Sequence, residues 1–189
     1  MNGHLTPHEL DSLLETARDA VRLAVLDHRS LRPSLSAQPA ALLEPGAVFV
    51  TLLRDGRLRG CIGTLSAIEP LVIAVAEHAR AAALKDPRFL PVTPEELDHL
   101  DVEVSVLSTP EQFDVADYEH LVDSLRPGVD GLIVRTNTHS ATLLPSVWAS
   151  LPTPSAFVEA LWLKAGLTPG YWPRDLSLAR YTAQHAPPD

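Results

Sequence analysis

The residues best suited to chemistry lie together in Leu58-Arg59-Gly60-Cys61-Ile62-Gly63, which holds the only cysteine of the chain and two of its nine glycines. Asp55-Gly56 precedes it, a dipeptide suited to a two-residue hairpin turn because glycine tolerates positive φ. Upstream, Ala47-Val48-Phe49-Val50-Thr51-Leu52-Leu53 is apolar and β-branched, so the segment reads as a β-hairpin. Strict alternation on the second strand puts Arg57, Arg59, Cys61 and Gly63 on one face and Leu58, Gly60, Ile62 and Thr64 on the other. A guanidinium close to a thiol favours the nucleophilic thiolate. Cys61 is therefore a candidate nucleophile or redox thiol, and Arg59 its activator or an anion clamp. The competing reading of Cys61 is a small buried hydrophobe, the common state of a free cysteine. For Arg59 it is a structural ion pair, with Glu103 or Asp86 as partner. Gly60 and Gly63 leave room for a ligand or another backbone to come close.

The elements that must position this strand follow from pattern. Thr6-Pro7-His8-Glu9 opens a helix with a capping threonine, a proline at the first helical position and an acid three residues after the cap. Leu10, Leu13, Leu14, Ala17, Val21 and Ala24 continue it as one apolar stripe ending near Asp27 or His28. Residues 32–46, with Pro33, Pro39, Pro45 and Gly46, read as a connector. A second helix starts at Pro70, buries Leu71, Val75, Ala79, Ala82 and Ala83, and stops before Pro87. Asp86-Pro87-Arg88 then forms a stiff turn in which acid and guanidinium fix the loop or clamp a substrate. Thr93-Pro94-Glu95-Glu96 starts a short helix.

In Asp101–Ser108, Val102, Val104 and Val106 face a core, while Glu103 and Ser105 face away. Further on, 117–125 reads as a helix and 131–136 with 140–144 as a hairpin closed by Pro145. The segment from Thr153-Pro154 to Gly166 reads as a helix, 176–181 as a last strand, and 186–189 as a fraying end. Hairpins among helices predict an α+β fold with a mainly antiparallel sheet.

Composition excludes several classes. Fifteen basic against twenty-four acidic residues give a net charge of −9 with no basic block, which argues against nucleic acid as a partner. At 189 residues with 46% apolar content the chain fits one domain, or one domain with a small lobe. The N-terminus lacks a basic head and an apolar run, no stretch reaches the length of a spanning helix, and a single cysteine suits a reducing compartment. A cytoplasmic protein without membrane contact is the expectation. Eight histidines offer no i, i+4 pair within one helix with a nearby acid and there is no cysteine pair, so neither a metal site nor a cofactor is expected. His78, His99 and His139 are candidate bases for Cys61, none placed by spacing. Gly60-Cys61-Ile62-Gly63 lies in a strand and lacks the helix start of a phosphate loop.

Taken together, Leu58–Leu65, Ala82–Pro91, Val102–Ser108, Gly131-Leu132-Ile133, Leu143–Val147 and Lys164–Leu167 resemble the AMMECR domain family, in order and spacing from about Gly46 to Trp172. The resemblance implies one domain over residues 1–189, with the N-terminal helix and C-terminal tail packed on it, a larger and a smaller lobe, and a cleft between them. It also implies the protein A role of the AmmeMemoRadiSam set, whose other members are a Memo-like protein similar to extradiol dioxygenases and a radical SAM protein. The family's proposed Arg-Gly-Cys site falls on Arg59, Gly60 and Cys61. Ser146 stands where relatives often carry Gln, and Leu84 where they often carry an aromatic residue. Those departures bear on ligand preference if the positions line the cleft.

Two functions follow. In one, the chain is a catalytic or ligand-binding component: Cys61 is the thiol, Arg59 its activator or anion clamp, Glu103 a general acid or base, and Gly60, Gly63, Asp86, Arg88 and Ser105 line the ligand site. In the other it is a non-catalytic partner or adaptor for the Memo-like and radical SAM proteins.

Overall fold

The computed structural model describes residues 4–186. Its first helix, α1 (Pro7–Asp27), begins as its capping residues require: Thr6 Oγ1 accepts from Glu9 N at 3.3 Å, and the Glu9 carboxylate accepts from Thr6 N at 2.8 Å. The helix ends at His28, in the left-handed conformation at φ 53°. The proline-rich connector is more ordered than its composition suggests. It holds a 3₁₀ turn at Leu35–Ala37 and a short α2 (Ala40–Leu43) anchored by the fully buried Leu42.

The hairpin follows as β1 (Ala47–Arg54) and β2 (Arg57–Thr64), turning through Asp55 at φ 52° and Gly56 at φ 70°. Two consecutive left-handed residues match the twist of a tight hairpin. Then come α3 (Leu71–Leu84), a 3₁₀ segment (Pro94–His99) and β3 (Leu100–Leu107). After them lie β4 (Glu111–Gln112), α4 (Tyr118–Ser124), β5 (Gly131–Arg135), β6 (Ser140–Leu143), α5 (Pro154–Lys164), β7 (Ser177–Tyr181) and β8 (Ala183–Ala186). A 3₁₀ turn at Pro145–Ala149 separates β6 from α5.

The chain divides into two compact units, residues 4–107 with 184–186, and 108–183. In the first, the sheet order is β2-β1-β3-β8, with β1 antiparallel to both β2 and β3. Val48, Val50 and Leu52 of β1 and Val102, Val104 and Val106 of β3 share a buried face with Leu13, Ala17 and Val21 of α1 and Val72, Val75 and Ala79 of α3. Each fully buried Leu or Val contributes about 1.5–3 kcal/mol of transfer free energy, so this apolar layer fixes which strand residues face the helices. In the second unit the order is β4-β7-β5-β6, with α4 and α5 on a core that includes Leu132, Phe157, Leu161 and Trp162. Trp148 stacks on Phe157 with ring centroids 4.0 Å apart.

The fold is therefore α+β, as the sequence implies. The strands are divided between two sheets, and β4 and β8 are additional to the expected elements. Ala186, expected to fray, is fully buried in β8; the rest of that tail, 187–189, lies outside the described residues.

Candidate functional site

β2 is the outer strand of its sheet, and its pairing with β1 is interrupted once. Leu52 lies opposite Gly60, but Leu53 lies opposite Leu58, so Arg59 has no partner across the pair. This bulge breaks the alternation that would align Arg59 with Cys61. The Arg59 guanidinium instead donates to Glu96, from Nε to Oε1 at 2.8 Å and from Nη2 to Oε2 at 2.9 Å, and to the Leu90 carbonyl at 3.0 Å. Neither Glu103 nor Asp86 is its partner; Glu96 is. Glu96 also accepts from Arg54 and from Thr93 N. Its carboxyl is held down at about 2, first by the Arg59 hydrogen bonds and then by the Thr93 amide and Arg54.

The guanidinium that reaches Cys61 belongs to Arg88. Its Nη2 donates to the Cys61 carbonyl at 3.3 Å, while Asp86 Oδ2 accepts from Cys61 N at 2.8 Å. Asp86 and Arg88 are bound to each other through Nε at 2.9 Å and Nη2 at 2.7 Å. The pair thus satisfies the outward amide and carbonyl of an edge-strand residue, which a further strand would otherwise take. Asp86 is buried at 4% exposure, and Arg88 holds its carboxyl well below the usual range, with the Cys61 and Arg88 amides adding to the effect.

Cys61 is half-buried, and the Thr51 hydroxyl donates to its sulfur at 3.3 Å. Thr51 lies opposite Cys61 on one side and Glu103 on the other, so the three form a row across β2, β1 and β3. In the next row Gly63, Phe49 and Ser105 are aligned. Ser105, only 6% exposed, shares a hydrogen bond with His185 Nδ1 on β8 at 3.1 Å. By alternation these residues occupy the sheet face opposite the valine layer. The face carries a thiol, two hydroxyls, a carboxylate and an imidazole. That set can hold a polar ligand next to a nucleophile.

The glycines have other neighbours. A Cβ on Gly60 would stand 2.3 Å from the Ala82 carbonyl oxygen, so its missing side chain admits α3. A Cβ on Gly63 would meet Phe49 and the Val48 carbonyl oxygen, both at 2.4 Å. The space at both positions is thus taken by protein. Leu84 packs on the core of the first unit, and Ser146 is exposed in the second.

Of the candidate bases, His78 sits on α3 with burial lowering its pKa, His99 ends the 3₁₀ segment, and His139 bonds Thr138 in the β5–β6 turn. None of them hydrogen-bonds the sulfur. Sequence reasoning passed over Thr51, Glu96 and His185. The first two were visible only as a strand residue and a helix-start acid. His185 lies between the expected last strand and the expected fraying end, where Gln184-His185 places two polar residues in succession and gives no strand signal. No group of His, Cys, Asp and Glu among the described residues could hold a metal ion, and no described helix is long and apolar enough to cross a membrane. In the second unit, Phe113, Asp114, Trp172 and Leu178 line a hollow of about 170 Å³ that contains none of the sequence-derived candidates.

A family model described as AMMECR1 matches residues 14–186. A protein of Methanothermobacter thermautotrophicus is 40% identical over 189 residues, covering 95% of this chain and 94% of its own. One of Thermococcus gammatolerans is 41% identical over 181 residues, covering 91% of this chain and 86% of its own. The crystal structure of the uncharacterized protein PH0010 from Pyrococcus horikoshii superimposes with a TM-score of 0.89 at 36% identity, covering 96% of this chain and 92% of that one. With the match spanning both units and the Arg59-Gly60-Cys61 strand inside it, the chain belongs to the AMMECR1 family.

Proposed function

We propose that the chain is a ligand-binding, thiol-bearing component that works through the sheet face around Cys61, in a reducing cytoplasm. The observation that carries this reading is the row Cys61–Thr51–Glu103: a half-buried sulfur held by a hydroxyl, with a carboxylate one strand further on. Cys61 is the nucleophile in this scheme and Glu103 its acid or base, with Ser105 contributing through His185. Arg59 is a structural residue, because Glu96 takes its guanidinium. Asp86 and Arg88 position the Cys61 peptide.

The family resemblance suggests a Memo-like protein and a radical SAM protein as the components that supply or receive the ligand. The test is alkylation of Cys61 by a neutral reagent, followed by intact mass, alone and after mixing with those two proteins. Labelling within minutes in the native chain, slowed several-fold by Thr51→Val and protected when a partner is added, supports the reading. A sulfur that labels only on unfolding removes it.

A further inference from the structure

We infer that the hollow in the second unit binds a small organic amine, one aromatic ring carrying an ammonium group, with the ring against Trp172 and the ammonium on the Asp114 carboxylate. No residue of the Cys61 face takes part. The hollow exists because a ladder stops. β4 pairs with β7 through Glu111 opposite Arg180 and Gln112 opposite Ala179, and Phe113 N adds a last bond to the Leu178 carbonyl at 3.0 Å. Past Phe113 the chain leaves for α4, where Ala116 N donates to His120 Nδ1 at 3.3 Å and Asp117 caps the helix. Among the described residues no backbone bond joins 114–116 to β7. The opening left between that segment and residues 172–178 measures about 170 Å³, and Phe113, Asp114, Val115, Trp172, Leu176 and Ser177 are among its lining residues.

Its walls are held without a ligand. Trp172 stacks on the fully buried Trp162 with ring centroids 6.0 Å apart, and Trp162 Nε1 donates to the Tyr171 carbonyl at 2.8 Å, which fixes the residue just before Trp172. The turn from Trp172 to Leu176 is closed by Leu176 N donating to the Pro173 carbonyl at 3.2 Å, and tied down by Asp175, whose Oδ2 accepts from Asn137 N at 2.9 Å. On the other side, Asp114 Oδ1 accepts from Gln112 Nε2 at 2.7 Å. Groups already ordered lose little freedom when a ligand arrives. An indole is also the aromatic ring that attracts a cation most strongly.

Charge and size then select the ligand. Asp114 is the one charged residue among those lining the hollow, and its Oδ2 has no hydrogen bond among the described residues. The stretch 109–125 around it holds Glu111, Asp114, Asp117, Glu119 and Asp123 with no lysine or arginine. Two cations come near without lining it. Arg180 lies over the Phe113 ring at 4.6 Å from the centroid and reaches Asp130 at 3.9 Å, and Arg174 is exposed two residues after Trp172. An anion would meet a carboxylate there, whereas an ammonium meets its opposite charge beside an aromatic wall. A cavity of about 150 Å³ holds a benzene molecule, so this one takes a single ring with a short arm.

The test titrates the full-length, nitrogen-15-labelled chain with phenethylamine (cationic), 2-phenylethanol (neutral) and phenylacetate (anionic), three probes of similar size, and follows amide and indole N–H shifts. The expected result is a saturable shift of the Asp114 and Val115 amides and the Trp172 indole with phenethylamine, about fivefold weaker binding of the alcohol, and the weakest binding for phenylacetate. The whole chain is acidic, so Asp11→Asn, which removes an exposed charge on α1, controls for bulk attraction. Asp114→Asn should abolish the amine's advantage over the alcohol, and Asp11→Asn should keep it. Ser177→Phe, at an exposed position lining the hollow, should fill it and weaken all three probes more than tenfold. Should that variant fail to fold, Asp114→Asn, on an exposed side chain, still decides. An amine-to-alcohol ratio equal in the native chain and in Asp114→Asn overturns the cation assignment. Shifts that do not saturate, or that lie away from the hollow, overturn the site itself. A further arm with Phe-Gly-Gly amide, which carries a ring and an ammonium at a peptide end, tells that source from a free amine by which of the two binds more tightly.

Discussion

Asp86 accepts a hydrogen bond from the backbone amide of Cys61 at 2.8 Å, across twenty-five residues of chain. The contact places a buried carboxylate on the unpaired edge of a strand, and the same carboxylate holds Arg88, which returns to the Cys61 carbonyl. The peptide that carries the thiol is thereby fixed on both polar atoms by one ion pair. Replacing Asp86 by Asn keeps the size and loses the charge. A wholly buried pair costs about 3–5 kcal/mol when one member is removed. Arg88 is about half exposed, with 53% of its side chain accessible, so solvent recovers part of that cost. We expect Asp86→Asn to lower unfolding free energy by about 2 kcal/mol in urea titrations. A loss below about 0.5 kcal/mol would mean that the edge needs no such clasp.

The Glu96 carboxyl supplies a pH dependence whose sign can be worked out. Its folded value is about 2 against an ordinary 4.5, because Arg59 and the Thr93 amide favour the charged form. A depressed folded pKa gives stability that is complete above the unfolded value and disappears as pH falls through the folded one. The native chain should lose stability progressively from about pH 4.5 down to about pH 2. Glu96→Gln should be less stable at pH 7 and lose less over that interval. Parallel curves for the two proteins would count against Glu96 as the source.

Gly60 and Gly56 make a matched pair for backbone packing. A Cβ at Gly60 meets the Ala82 carbonyl oxygen at 2.3 Å, and that atom belongs to helix backbone that cannot rotate away. At Gly56 nothing lies within 4 Å, and only the positive φ of 70° resists a side chain. Gly60→Ala should cost about 2–3 kcal/mol by overpacking, and Gly56→Ala about 1 kcal/mol by backbone strain. Thermal unfolding of the two variants ranks them directly. The reverse order would show that α3 can shift away from β2 at little cost.

These contacts also explain what the sequence shows and what it hides. The β1–β2 hairpin is legible because Asp55-Gly56 and the apolar run before it are local signals. So are the Thr6–Glu9 box and the valine alternation of β3. The bulge at Arg59 is not legible, because Arg57-Leu58-Arg59 has no turn chemistry of its own and its anchor, Glu96, lies thirty-seven residues away. Glu96 could be seen as the acid closing a helix start, as it does by accepting from Thr93 N. Its service to Arg59 could not. β8 is a harder case. Four residues with two adjacent polar ones between alanines have no strand signature, and they are held by Gln184 bonding Leu5 at the opposite end of the chain and by His185 bonding Ser105. The candidate site divides the same way: Cys61, Glu103 and Ser105 were legible by type and alternation, whereas Thr51 and His185 needed the register.

Tyr181 offers a test at the alkaline end, in the second unit. Its ring is 2% exposed, and its hydroxyl donates to the Leu143 carbonyl at 3.1 Å while sharing a 2.7 Å hydrogen bond with Thr142. Burial pushes its phenol up to about 12, with the Thr142 contact acting the other way. In the unfolded chain the phenol ionises near 10. Between those values the unfolded state releases a proton that the folded state keeps, so stability falls as pH rises from about 10. Tyr181→Phe loses about 1–2 kcal/mol at pH 8, since the Leu143 carbonyl and the Thr142 hydroxyl lose a partner. It carries no phenol to ionise, so the gap between it and the native chain should narrow from pH 10 upward. Urea midpoints at pH 8, 10 and 11 measure that gap, and a constant difference across the series would show that the buried ring does not resist ionisation.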